Sequence, residues 1–246
     1  MQKSPTLGSL ALVGSGEYLI QMLELESSLI QDGIKNGKKA RFIQIPTAAG
    51  QESPDRIKYW KELGRAQGER LGVEVEFLEI LNRENALDEQ MASLISDSAL
   101  IYLSGGDPHH LADSLADTPV LGAIYQGWAS GSSLAGCSAG AMALSTHIPN
   151  FRFSKKSPTP GFNFLPKVRV IPHFDRFFRW IPESAAKVLM SSPDDTILIG
   201  IDELTALVKR SGDDLFTVEG AASVHILSGA NPEVLKSGER IKLNNQ

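Results

Sequence analysis

Short apolar runs alternate with longer amphipathic segments through the first 145 residues, and few folds accommodate that alternation. Residues 10–14 (LALVG), 40–46 (ARFIQIP), 73–80 (VEVEFLEI), 99–106 (ALIYLSGG) and 131–140 (GSSLAGCSAG) read as strands or strand ends. Between them, helices are expected over 17–35, 54–71, 88–96, 108–116 and 119–129. Strand–helix repetition of this kind builds βαβ units, and therefore a mostly parallel sheet with helices on both faces. The near-continuous apolar run ALIYL suits a central strand buried on both sides.

After residue 144 the pattern changes. Residues 146–166 are rich in Pro, Gly, Ser, Phe and Lys without a period, and read as a long loop or flap. A strand candidate, VRVIPHF, follows, then a helix near 181–190 and three β-like stretches: TILIGID, TALVKR and LFTVEG through SVHIL. Turn signals such as SGDD separate the later runs and predict an antiparallel C-terminal edge. No repeat or linker divides the chain, so residues 1–246 are expected to form one domain.

Composition narrows the function classes. The formal charge of −5 leaves no basic excess to neutralise phosphates, which argues against nucleic acid as a partner. One cysteine excludes an internal disulfide and any multi-cysteine metal centre, and no cofactor is expected. No apolar run approaches the roughly 18 residues of a membrane span. The first apolar run is broken by Gly14, Ser15 and Gly16, unlike a secretory signal, so a cytoplasmic protein is expected.

The chemistry concentrates at residues 136–140, GCSAG, which match G-x-S-x-G with Ser138 central. A nucleophile at the carboxyl end of a central strand sits on a tight strand-to-helix turn, whose flanks must be small. The same pentapeptide also fits a plain glycine turn with Ser138 capping the next helix. Cys137 is intrinsically the better nucleophile, but it is off-centre and is expected to point into the sheet–helix core. A second glycine turn, Gly105-Gly106 in YLSGGDPHHL, ends another buried strand and should lie beside the first. Asp107 and Pro108 there also suit a helix N-terminus.

A serine nucleophile needs a base. Of the five histidines, His109 and His110 open a helix, and His225 lies in a late β-like run; His147 is the fourth. His173 follows a short apolar strand downstream of the elbow and is favoured. The stretch 139–172 contains no Asp or Glu. The same stretch carries Arg152, Lys155, Lys156, Lys167 and Arg169, which read either as solvated charges or as contacts for an acidic substrate group.

Taken together and in this order, SGGDPHHL, GCSAGAMAL, IPHFDRFFR and IGIDELTALV resemble the serine-peptidase family that contains cyanophycinase and the aspartyl dipeptidase known as dipeptidase E. The resemblance implies a flavodoxin-like α/β three-layer sandwich, similar in fold to class I glutamine amidotransferases. It also implies a Ser–His site that hydrolyses amide bonds next to aspartyl groups of a small peptide. Carried over, Ser138 matches the nucleophile and His173 the base, while Gly106 and Ala139 match the oxyanion donors. Asp107, Arg176 and Arg179 are expected to contact substrate, although both arginines could equally pair with Asp202 or Glu203. A homodimer is compatible with the resemblance. The chain departs from it in Pro108, where cyanophycinases tend to carry Gln, and in the acid-free stretch. The resemblance implies a triad acid between elbow and histidine, so here Asp202, Glu203 or Asp175 would have to orient His173. Without one of them the site is a vestigial one on a binding or regulatory protein.

Overall fold

The computed structural model of the 246-residue chain describes residues 7–149, 158–180, 196–228 and 233–243. In chain order the elements are β1 (Leu10–Val13), a 3-10 turn (Ile20–Met22), α1 (Leu23–Lys35), β2 (Lys39–Ile45), a 3-10 turn (Thr47–Ala49), α2 (Pro54–Leu71) and β3 (Glu74–Phe77). Then come α3 (Arg83–Ala86), α4 (Glu89–Ser93), β4 (Ser98–Leu103), α5 (Pro108–Leu115), α6 (Pro119–Ala129), β5 (Ser133–Cys137) and α7 (Ala139–Leu144). The remainder is β6 (His147–Ile148), β7 (Thr159–Pro160), β8 (Val168–Ile171), α8 (Phe174–Trp180), β9 (Ile197–Ile201), β10 (Thr205–Lys209), β11 (Phe216–Gly220), β12 (Ser223–Ile226), β13 (Glu233–Lys236) and β14 (Arg240–Ile241).

Local chemistry accounts for the helix boundaries. Ser53, Asp107 and Thr118 each cap a helix through a side-chain oxygen, and each is followed by proline at the first helical position. Gly72 ends α2 with φ of 67°, a left-handed conformation that glycine adopts without strain. The first expected helix is shorter than its pattern. Tyr18, with φ of 62° and a fully buried ring, breaks the run, and α1 starts only at Leu23. Asp88 caps α4 rather than belonging to it.

The main sheet has eight strands in the order β14-β11-β10-β1-β5-β4-β2-β3. From β1 to β3 every pairing is parallel; β10, β11 and β14 extend the other side antiparallel, as the late turn signals predict. All six residues of β4 are buried, as its apolar run requires. Strand alternation divides the core between the two faces. Leu10, Leu12 and Leu134 pack in one cluster with α7, whereas Ala11, Val13, Ala135 and Cys137 pack in another with α1.

VRVIP and TILIGID do not join the main sheet. As β8 and β9 they pair in parallel in a second, four-stranded sheet of order β13-β12-β9-β8. Gly200 of β9 admits this packing, because a Cβ there would meet the Phe174 ring at 2.5 Å. The expected flap at 146–166 contains the β6–β7 pair. Residues 150–157, with Arg152, Lys155 and Lys156, and the helix expected near 181–190 lie outside the described residues. Among the described residues, no helix is long and apolar enough to cross a membrane.

Candidate active site

Sheet order creates the site. β1, β5 and β4 are parallel neighbours, so their carboxyl ends open side by side and deliver Gly14-Ser15-Gly16-Glu17, Ser138 and Ser104-Gly105-Gly106 to one edge. The second sheet contributes from across that edge. β8 ends at Ile171 and β9 at Ile201, and two residues beyond each come His173 and Glu203.

The elbow is set by steric necessity. Ser138 takes φ of 50° and ψ of −107°, a strained conformation for a residue with a Cβ, and is half-buried. A Cβ on Gly136 would sit 2.5 Å from the Gly140 carbonyl carbon, and one on Gly140 would sit 2.3 Å from the Leu103 oxygen. Neither position can hold a larger residue unless the turn moves. The Ser138 amide donates to the Val13 oxygen at 2.9 Å, tying the elbow to β1. Ser138 makes no side-chain cap on α7, so the simple capping reading of the pentapeptide does not apply.

Ser138 Oγ lies 3.0 Å from His173 Nε2, and His173 Nδ1 lies 2.9 Å from Glu203 Oε1. Of the three acids left open by the sequence, Glu203 is the one on His173. Asp202, its neighbour, faces the other way: its Oδ1 is 3.1 Å from His225 Nε2, and its Oδ2 accepts from the Ser223 amide. Adjacent residues at a strand end point to opposite sides, so only one of the two can reach the site. Asp175 Oδ1 accepts the Glu203 amide at 3.0 Å, and Arg176 Nη2 lies 2.8 Å from Glu203 Oε2. Three residues of one short segment, His173, Asp175 and Arg176, thus hold the acid from three directions. His173 and Leu204 both take positive φ, of 50° and 55°.

The remaining expected residues are placed as follows. Gly106 has φ of 138°, and a Cβ there would meet the Ala48 oxygen at 2.3 Å. Among the described residues no acceptor pairs with the Gly106 or Ala139 amide. Asp107 is the N-cap of α5, its Oδ1 accepting from the His109 and His110 amides. His110 Nε2 is 2.8 Å from the Leu81 oxygen, and His109 Nδ1 is 2.7 Å from Thr159 Oγ1. Arg179 lies in α8 beyond the side chains described. Lys167 is exposed, whereas Arg169 is buried with Nε donating to Thr196 Oγ1.

Cys137 is fully buried, and burial pushes its thiol well above the ordinary range, with the carboxylate of Glu17 adding to the rise. Its Sγ lies 3.0 Å from Glu17 Oε2, on the α1 face of the sheet. A protonated, enclosed thiol is a poor nucleophile. Glu17, expected from the sequence as the first residue of a helix, lies instead in the turn between β1 and α1. It is 8% exposed and its Oε1 accepts the Gly105 amide at 2.9 Å. Its signal was available: an acidic residue directly after a Gly-Ser-Gly turn that ends a strand beside the elbow strand.

With this geometry in view, the likeness to known proteins falls into place. The Peptidase family S51 model matches residues 10–217. A cyanophycinase of Trichormus variabilis is 34% identical over 236 residues, covering 90% of this chain and 74% of the relative. A cyanophycinase of Synechococcus elongatus is 29% identical over 92% of this chain and 70% of that one. The crystal structure of a peptidase from an acI-B1 actinobacterium superposes with a TM-score of 0.95 at 59% identity, covering 98% of this chain and 99% of that one. The chain belongs to peptidase family S51 and is, at the level of that family, a cyanophycinase-like serine peptidase.

Proposed function

We propose that the protein hydrolyses an amide bond beside an acidic, aspartyl-type residue of a short peptide or isopeptide through a Ser138 acyl-enzyme. Ser138 Oγ attacks the carbonyl carbon while its proton passes to His173 Nε2. The C–N bond then breaks as His173 returns that proton to the leaving amine. Water attacks the ester, gives its proton to His173, and releases the acid and free Ser138. Glu203 holds His173 with its Nδ1 protonated, and the Gly106 and Ala139 amides face the oxyanion.

The observation that carries this reading is the chain of contacts from Ser138 to His173 at 3.0 Å and from His173 to Glu203 at 2.9 Å. The Glu203 carboxylate on His173 supports this reading over that of a binding protein with a vestigial site. The half-exposed guanidinium of Arg176 beside Glu203 supports an acidic substrate group.

A fluorophosphonate probe is expected to label wild type and Cys137→Ser, and to leave Ser138→Ala unlabelled. A screen of aspartyl dipeptides, β-aspartyl peptides and cyanophycin fragments is expected to return a substrate for wild type that Ser138→Ala does not cleave. A folded wild-type protein that neither labels nor cleaves overturns the proposal.

A further inference from the structure

The turn after β1 is laced to the turn after β4 by consecutive residues. Tyr18 Oη lies 2.7 Å from Ser104 Oγ, and Glu17 Oε1 accepts the Gly105 amide at 2.9 Å. Both links are buried, and so is the Glu26 carboxylate, which accepts the Tyr18 amide at 3.2 Å and joins the lacing to α1. The second Glu17 oxygen is held by the Cys137 thiol, one residue before Ser138. Glu17 therefore touches both strand ends that flank the reacting atoms. On its far side the same turn is clamped to the 3-10 turn after β2, where the Asp107 amide donates to the Ala48 oxygen at 2.7 Å. Between these two anchors the Gly106 amide is left without an acceptor among the described residues.

A buried carboxyl group beside a nucleophile is costly to maintain unless its oxygens are satisfied. Here both oxygens are, by one amide of the oxyanion turn and one thiol of the elbow strand. Gly105 has little latitude: a Cβ there would lie 2.7 Å from Glu17 Oε1 and 3.4 Å from Ser138 Cβ.

We propose that Glu17 is a positioning residue for the oxyanion turn, fixing the Gly105 amide so that the next amide, that of Gly106, is aimed at the developing oxyanion. This rests on the Ser138 hydrolase reading above. Glu17 makes no contact with the reacting atoms; it acts through the Gly105 peptide.

The test measures fluorophosphonate labelling as kinact and KI separately, across pH, on the full-length chain with melting curves for every variant. Glu17→Ala is expected to lower kinact about 10- to 100-fold, less than deleting an oxyanion donor outright. KI and the shape of the pH profile are expected to stay as in wild type. Glu17→Gln, which keeps a carbonyl oxygen for the Gly105 amide, is expected to recover most of the loss. Should Glu17→Ala not fold, Glu17→Asp serves instead: it keeps the charge but withdraws it from Gly105, and is expected to lose kinact. Wild-type kinact in Glu17→Ala or Glu17→Asp, or a Gln variant as impaired as the Ala variant, overturns the proposal. Absent labelling of wild type overturns the hydrolase reading instead, so the two failures are distinguishable.

Discussion

His173 and Glu203 are 30 residues apart in sequence, yet each stands two residues past the end of one of two parallel neighbouring strands. The pairing of Ile171 with Gly200 in the strand register brings the two loops level, and the 2.9 Å contact between Nδ1 and Oε1 follows from it. The carboxylate on His173 thus comes from beyond the histidine in the chain, from the strand paired with its own, and not from between elbow and histidine.

Replacing Glu203 with Gln is expected to lower kinact for a fluorophosphonate by up to about 10⁴-fold, since an amide no longer fixes the imidazole tautomer or balances the imidazolium. Asp202→Asn, which disturbs the His225 contact instead, is expected to leave the labelling rate near wild type. Equal losses in both variants would contradict the assignment of the acid.

The elbow glycines should behave differently from a glycine with open surroundings. Gly136→Ala or Gly140→Ala is expected to cost about 3 kcal/mol or to prevent folding, because the added Cβ meets backbone atoms. Gly122→Ala on the exposed face of α6 meets nothing within 4 Å, and is expected to stabilise by about 0.5–1 kcal/mol. Denaturant unfolding of the three variants checks both signs.

Burial lifts the Glu26 carboxyl from 4.5 to about 7, against the hydrogen bonds from Gln67 and Tyr18 that favour its charged form. A folded-state value above the unfolded one means that the native state binds the extra proton between these limits. Stability from this group is therefore full below about pH 4.5 and is lost as pH rises through 7, by about 3 kcal/mol. Unfolding measured at pH 5 and pH 8 should show that loss in wild type and a flatter dependence in Glu26→Gln. A dependence of equal size in both proteins would assign it elsewhere.

Cys137, the single cysteine, is fully enclosed and its thiol is held protonated. A thiol reagent such as 5,5′-dithiobis(2-nitrobenzoate) at pH 8 is expected to react with the native protein only over hours, and with one equivalent at once after denaturation. Rapid reaction of native protein would mean that the elbow strand opens readily.

What the sequence determined by itself is the local and periodic part. The strand–helix alternation required a mostly parallel sheet, and proline after Ser53, Asp107 and Thr118 started three helices where it was expected to. Gly136 and Gly140 centred the elbow on Ser138 because no side chain fits beside a turn that tight. What only the tertiary structure decided is which distant groups meet. The choice of Glu203 over Asp202 or Asp175 depends on strand register and on which face each residue presents. Glu17 reaches Gly105 because β1 and β4 flank β5, an order that no local pattern specifies. Propensity and sterics act within a few residues, whereas the site is assembled by pairing between strands far apart in the chain.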